Sequence, residues 1–278
     1  MLGKLIKYDL KRQFHVWGLF YGVLGILSLV SAVCHLLLRQ FENQMVLYVM
    51  SQFLTATVII GCIGGVVVSS FYVILYFRKN LFKDEGYLMH TLPVKAKELY
   101  LSKIVTGSLM VYASAVGSLF AFGLSQADFN VYGEVVQEAV CEFGRVEGSV
   151  LLWLFAGFLL IGVPATISVF FVSISLGYTW NIKSETPVNK DLLSVVAYVA
   201  IYMIEQVVMV VVLVMALVIF MGTGVLNPED LFRNQVVVEN PFGIVYTVFG
   251  ILYLIFVIQA IVFGWISIRR MKKNLNLE

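Results

Sequence analysis

The side chains that could do chemistry in this sequence are few, and none falls into a catalytic motif. A Walker A nucleotide loop requires Gly-x-x-x-x-Gly-Lys-Ser/Thr, but the sole Gly-Lys pair is Gly3-Lys4, followed by Leu5. Neither His-Glu-x-x-His nor Gly-x-Ser-x-Gly occurs, and the three cysteines fit no metal-site spacing. We therefore predict no catalytic, cofactor-binding or metal-binding residue, and we expect that the chain is not an enzyme.

One acidic residue lies deep within an apolar run. Glu205 is followed by Gln206 and stands far from either end of its run. A charged side chain at the centre of a bilayer costs about 2.5–3.5 kcal/mol on insertion scales, so this carboxyl should face protein, water or a partner. Two interpretations stay open: a polar group on a substrate path or proton-linked site, and a carboxyl hydrogen-bonded between two spans. Gln259 raises the same question.

Charges are dense between Arg78 and Lys103, a segment that reads RKNLFKDEGYLMHTLPVKAKELYLSK. Two acids and a glycine lead into an apolar run, and a proline follows. The residues of interest are Asp84, Glu85, Gly86, Tyr87, Leu88, Met89 and Pro93. This order predicts a short helix, a break at Pro93 and a second helix from Ala96 to Lys103. A bare connection needs only a few residues, so the length and charge of this segment indicate a docking surface.

Six apolar segments must position these residues. Of the 278 residues, 60% are hydrophobic and only 13% are charged, which excludes an ordinary soluble domain. Crossing about 30 Å of hydrocarbon takes roughly 20 helical residues, and lipid offers the backbone no other partner. We predict an all-α integral membrane protein, one domain over residues 1–278, with spans at about 16–38, 46–77, 104–125, 149–180, 192–221 and 242–268.

Positive charge predicts how these spans are oriented. Sixteen of the nineteen Lys and Arg residues lie before the first span, after the second, after the fourth and in the tail. The other linkers carry only Arg39, Arg145 and Arg233. By the positive-inside rule, both termini and the 78–103 segment are expected in the cytoplasm, with the protein in the plasma membrane. The basic residues would meet anionic lipid, and we expect no nucleic acid partner.

Three further segments have predicted structure of their own. Apolar residues recur at helical spacing within residues 1–15, with basic residues off the stripe, which predicts an amphipathic interfacial helix that bends into the first span near His15. The 46–77 segment is about 48 Å long as a helix, so it tilts or projects beyond the bilayer. Between Gln126 and Gly148, spaced valines predict a short outer helix packed on the spans.

Two pairs of glycines have the spacing of helix-packing motifs. Gly18 and Gly22 form a Gly-x-x-x-Gly pair in the first span, and Gly61 and Gly65 form another in the second. Small residues four positions apart let helix backbones approach closely. We predict that these glycines pack helices within one chain or across a dimer.

The 78–103 segment resembles the first intracellular loop of type-2 ATP-binding-cassette (ABC) exporter permeases of Gram-positive bacteria. The residues that carry the resemblance are Asp84, Glu85, Gly86, Tyr87, Leu88, Met89, Thr91, Leu92, Pro93 and Val94, then Leu99, Ser102 and Lys103. It extends to the basic N-terminal segment, through Lys4, Leu5, Tyr8, Asp9 and Lys11, and to the six-span layout. The resemblance is most specific in the 78–103 loop.

The resemblance implies the membrane-spanning permease subunit of an exporter. Its loop would hold a coupling helix that seats in a cleft of a separate cytoplasmic ATPase, the subunit that binds ATP and Mg. Asp84 and Glu85 would pair with basic residues there, and Tyr87 to Met89 would fill an apolar cleft. Two permease chains, identical or related, would join two ATPases to export a peptide, lipid-like or drug-like molecule.

Two other classes of protein stay open at this point. An ion-coupled secondary transporter or channel would need no ATPase, and Glu205 is its main support. A non-transporting membrane sensor or scaffold would use the 78–103 loop to bind a signalling partner.

Overall fold

The computed structural model describes residues 2–41, 44–83, 86, 94–142, 145–180, 189–222 and 241–275. Within them the chain forms seven helices, numbered in order: α1 Leu2–Gln40, α2 Met45–Phe82, α3 Ala96–Ser125, α4 Asn130–Glu142, α5 Arg145–Thr179, α6 Lys190–Gly222 and α7 Pro241–Leu275. All except α4 are long and apolar enough to cross a membrane. This confirms the predicted all-α membrane protein with six transmembrane helices.

The chain divides into two compact units. Unit 1 covers Met1–Ser149 and contains α1 to α4, and unit 2 covers Val150–Glu278 and contains α6, α7 and most of α5. The prediction of one permease domain over 1–278 stays a prediction.

The N-terminal segment and the first span form one element. α1 runs without interruption from Leu2 to Gln40, so the interfacial helix predicted over residues 1–15 and the first span are one continuous helix. No proline stands in this stretch to break the helix. The deeply buried residues of its first turns are Asp9 and Gln13, whereas the apolar stripe is only partly covered. The early turns of α1 therefore pack on their neighbours through polar side chains.

α2 and α3 extend beyond the minimal spans. α2 has 38 residues, which gives a rod about 57 Å long, and it continues past the expected Phe77 to Phe82. Its last turns are covered, with Phe77, Asn80 and Leu81 fully buried. The second loop helix expected from Ala96 to Lys103 is the start of α3 and has no break before the span.

Small residues and hydroxyl groups join the three long helices of unit 1. The Tyr21 hydroxyl donates to the Ser114 carbonyl at 2.8 Å, which links α1 to α3. The Ser31 hydroxyl lies 3.3 Å from that of Thr55 on α2 and donates to the Ser125 carbonyl on α3 at 3.2 Å. Such residues let helices approach closely where lipid gives no hydrophobic driving force between them. α3 carries many of the buried positions of the unit.

α4 lies where a short outer helix was expected, but it packs through different side chains. The Tyr132 hydroxyl donates to the Leu119 carbonyl, and the Phe129 ring lies 5.7 Å from that of Phe120. Val135 and Val136, from the predicted packing face, are 59% and 46% exposed. Aromatic rings bury more area per residue than valines, which accounts for the rotation of the contact face.

In unit 2, glycines of α5 receive side chains from α6 and α7. A methyl group added at Gly177 would lie 2.5 Å from the Cα of Ser194 on α6. One added at Gly157 would lie 2.6 Å from the Tyr253 hydroxyl of α7. α5 continues as a helix through Pro164. The contact at Gly177 involves backbone, so it cannot be relieved by a side-chain rotation.

We expect Gly177→Ala to destabilise unit 2, because the added methyl forces α5 and α6 apart. Overpacking typically costs about 1–3 kcal/mol, which should appear as a lower Tm in detergent micelles. The matched control is Gly250→Ala on α7, where nothing lies within 4 Å of the added methyl. Equal melting temperatures for the two variants would contradict the tight contact.

Candidate functional site

Three helices of unit 1 meet at the end where α1 begins, α2 ends and α3 begins. We call this end, which carries Leu2, Phe82 and Ala96, the basal end. The helices are joined there by a buried cluster of polar side chains, the Asp9 cluster, made of Asp9 on α1, Tyr76 on α2 and Lys103 on α3. The helices at the two ends of the 78–103 loop are therefore held together by the Asp9 cluster.

The Asp9 carboxylate is the centre of this cluster. Its Oδ1 accepts a hydrogen bond from the Tyr76 hydroxyl at 2.7 Å and another from Lys103 Nζ at 2.7 Å. Asp9 and Lys103 are 4% and 2% exposed. Lys103 Nζ also lies 4.8 Å from the centre of the Tyr76 ring, and the Arg12 guanidinium lies 5.5 Å from it. Cation–π attraction thus adds to the ion pair.

Burial makes this pair a strong constraint on the helices. Removing a carboxylate and an ammonium from water costs several kcal/mol per ion, and mutual attraction offsets that cost only at close range. Separating Asp9 from Lys103 would leave the Asp9 carboxylate without this cation at a position away from water. α1 and α3 must therefore keep their relative position at the basal end, and Tyr76 extends the constraint to α2.

Of the seven loop residues predicted to dock an ATPase, one, Gly86, lies in the described part of the chain. Gly86 folds back on the end of α2, where its amide donates to the Lys83 carbonyl at 2.7 Å. A methyl group added at Gly86 would lie 2.7 Å from the Leu81 carbonyl oxygen. A side chain does not fit this approach, which gives a physical reason for glycine in the Asp-Glu-Gly motif. Asp84, Glu85, Tyr87, Leu88, Met89 and Pro93 lie outside the described residues.

The second candidate site is a cavity of about 530 Å³ within unit 2. Its walls come from α5, α6 and α7 and are mainly apolar. Glu205 and Gln206 line it, as does Gln259 of α7, whose Nε2 donates to Glu205 Oε1 at 3.0 Å. The partly buried carboxyl thus has both features considered from the sequence: it is hydrogen-bonded between two spans, and it faces a cavity.

The two glycine pairs have different surroundings. Methyl groups added at Gly61 and Gly65 would lie 2.5 Å from the Leu24 side chain and 2.7 Å from the Tyr21 hydroxyl, so both glycines face α1. In the described residues, nothing lies within 4 Å of a methyl added at Gly18 or Gly22. For Gly18 and Gly22, packing within one chain or across a dimer stays a prediction.

Sequence reasoning missed the pairing at the basal end and the aromatic wall of the cavity. In the sequence, Asp9 and Lys103 stand out only as parts of the motifs that carry the resemblance. Asp9 is the only acid among the first forty residues, and that isolation was the available signal. Phe170 stacks on Tyr198 with ring centres 4.8 Å apart, a contact between helices that no local pattern reveals.

Comparisons with known proteins give no relative. The chain matches no protein-family model, and neither curated proteins nor solved structures contain a significant match.

We expect Lys103→Met to lower the free energy of unfolding by about 3–5 kcal/mol, because it leaves Asp9 charged, buried and unpaired. The double variant Asp9→Asn/Lys103→Met should recover much of the loss, since no buried charge remains. Melting curves in detergent test both, with Lys11→Met, an exposed lysine of α1, as the control. Additive losses in the double variant would rule out the coupling.

Gly86→Ala should loosen the turn that follows α2, because its methyl group collides with backbone. We expect trypsin to cleave after Lys83 several-fold faster than in wild type, with little change in Tm, since the strain is local. Gly64→Ala, within α2, is the control, because nothing lies within 4 Å of its added methyl. An unchanged cleavage rate would show that alanine fits at position 86.

Proposed function

We propose that this chain is the membrane-spanning permease subunit of an ABC exporter, driven by ATP that a separate ATPase subunit hydrolyses. The observation that carries the proposal is the Asp84–Val94 motif between two helices tied together by the Asp9 cluster. A docking loop transmits force only when its supports do not yield. The buried ion pair and the Tyr76 hydrogen bond supply such supports on both sides of the loop.

The mechanism follows from that joint. An ATPase cleft that closes on the loop pushes on the end of α2 and the start of α3. Because Asp9 holds both helices to α1, the three helices respond as a group rather than one at a time. The ion pair is costly to separate, so the push is passed into the membrane rather than absorbed at the basal end.

The proposal includes the arrangement of the complex. Two permease chains, identical or related, would combine with two ATPase subunits in the plasma membrane, with both termini and the basal end in the cytoplasm. Gly18 and Gly22 on α1 offer a surface free of neighbours within the described chain, which suits a helix from a second copy. Nucleotide and Mg would be held by the ATPases.

A second candidate function is favoured by one observation. Glu205 lines a cavity within the transmembrane helices of unit 2, as a proton- or ion-coupled transporter would require. Such a protein would transport its substrate in liposomes without an ATPase, and Glu205→Gln would abolish that transport. An exporter subunit shows no flux under these conditions.

The docking role is tested by co-expression with an ABC ATPase encoded next to this chain, followed by a pull-down. We expect Asp84→Lys/Glu85→Lys to lose most of the captured ATPase, because the new lysines repel the basic residues that the acids would bind. Glu134→Lys/Glu138→Lys is the matched control, since it makes the same charge change at exposed positions of α4. Undiminished capture by the loop variant would refute this role for the pair.

A further inference from the structure

The cavity in unit 2 has the size of a small-molecule site. Its volume of about 530 Å³ falls within the roughly 300–1,000 Å³ of typical ligand pockets. α5 contributes Phe170, α6 contributes the stretch from Tyr198 to Met209, and α7 contributes residues around Gln259. A molecule with an apolar body of drug size fits this volume.

The cavity carries a single acidic group. Among the described lining residues, Glu205 is the only acid and none is Lys, Arg or His. Gln259 donates to one oxygen of the carboxyl and so fixes its position. A carboxylate has about four acceptor positions, which leaves several for a ligand. An amine or quaternary ammonium therefore complements the cavity in charge, whereas an anion meets no cationic side chain among the described lining residues.

Aromatic rings stand on the same helix face as this carboxyl. Tyr198, Tyr202 and Glu205 follow one another at positions i, i+4 and i+7 of α6, so they share one face. Phe170 of α5 stacks on Tyr198 at 4.8 Å with 10° between the planes, and Tyr202 continues the wall at 6.3 Å from Tyr198. Ring faces attract cations, most strongly away from water.

We propose that this cavity binds a lipophilic organic monocation, with its charged nitrogen at Glu205 and its apolar body against the aromatic wall. A bare metal ion is disfavoured, because hard cations need six or more oxygen ligands and the walls are mainly apolar. A neutral lipid chain would use the apolar walls but not the carboxylate. The claim that this cation is the exported molecule rests on the proposed function. The claim that the cation binds to the chain does not.

The experiment compares two fluorescent probes that share the same apolar body, one with a cationic amine and one with a neutral amide. Dansylcadaverine carries a primary amine, and its N-acetyl derivative has the same apolar body without the charge. Binding is measured to the purified full chain in phosphatidylcholine nanodiscs, without ATPase. We expect the amine to bind about tenfold tighter than the acetamide, as for a hydrogen bond to a charged group.

Glu205→Gln should remove this preference, because it keeps the shape and the hydrogen-bonding capacity toward Gln259 but loses the charge. Glu134→Gln, at an exposed position of α4, is the matched control and should bind like wild type. Equal affinity of wild type for both probes overturns the proposal, and so does an unchanged amine preference in Glu205→Gln. The wild-type comparison can still overturn the proposal if the variant does not fold. Since no ATPase is present, failure here is distinguishable from failure of the pull-down.

Discussion

A buried charge that cannot leave its partner is the constraint on which unit 1 depends. Asp9 accepts hydrogen bonds from Tyr76 and Lys103, all three side chains are buried, and each comes from a different helix. In a membrane, helices joined only by apolar contacts can shift along one another, because lipid is as apolar as a neighbouring helix surface. An ion pair has no such alternative, so it fixes the register of the helices. Further along the same helices, hydrogen bonds from Tyr21 and Ser31 add to this constraint.

The spans were predictable because lipid imposes length and composition on every helix that crosses it. The details that depend on neighbours were not. Asp9 and Lys103 are 94 positions apart, and periodicity carries no information about such a pair. Within a bilayer, an apolar stripe also does not reveal the buried face, which explains why Asp9 and Gln13 proved more deeply buried than Leu5 or Leu10. α4 shows the same effect, since aromatic contacts rather than valines set its orientation.

The candidate sites also contain some features that the sequence predicts and others that depend on neighbouring helices. Glu205 was recognisable because a carboxyl in an apolar run demands a partner, and Gln259 is that partner. The cavity beside it was not, since its wall combines Phe170 of α5 with Tyr198 of α6. In the loop, the sequence indicated a docking motif, and the backbone at Gly86 supplies the reason for its glycine. The basal joint that supports the loop emerged only from the packing of three helices.

The length of α2 has a mechanical consequence. An unbroken helix of 38 residues resists bending, so displacement at one end is carried to the other as rotation of a stiff rod about 57 Å long. A rotation of about 10° around Met45 would move Phe82 by about 10 Å. The converse also holds: a modest lateral stroke at Phe82 becomes only a small angular change along the rod. A large displacement at the Phe82 end of α2 is therefore converted into a small displacement, with a larger force, near the Met45 end.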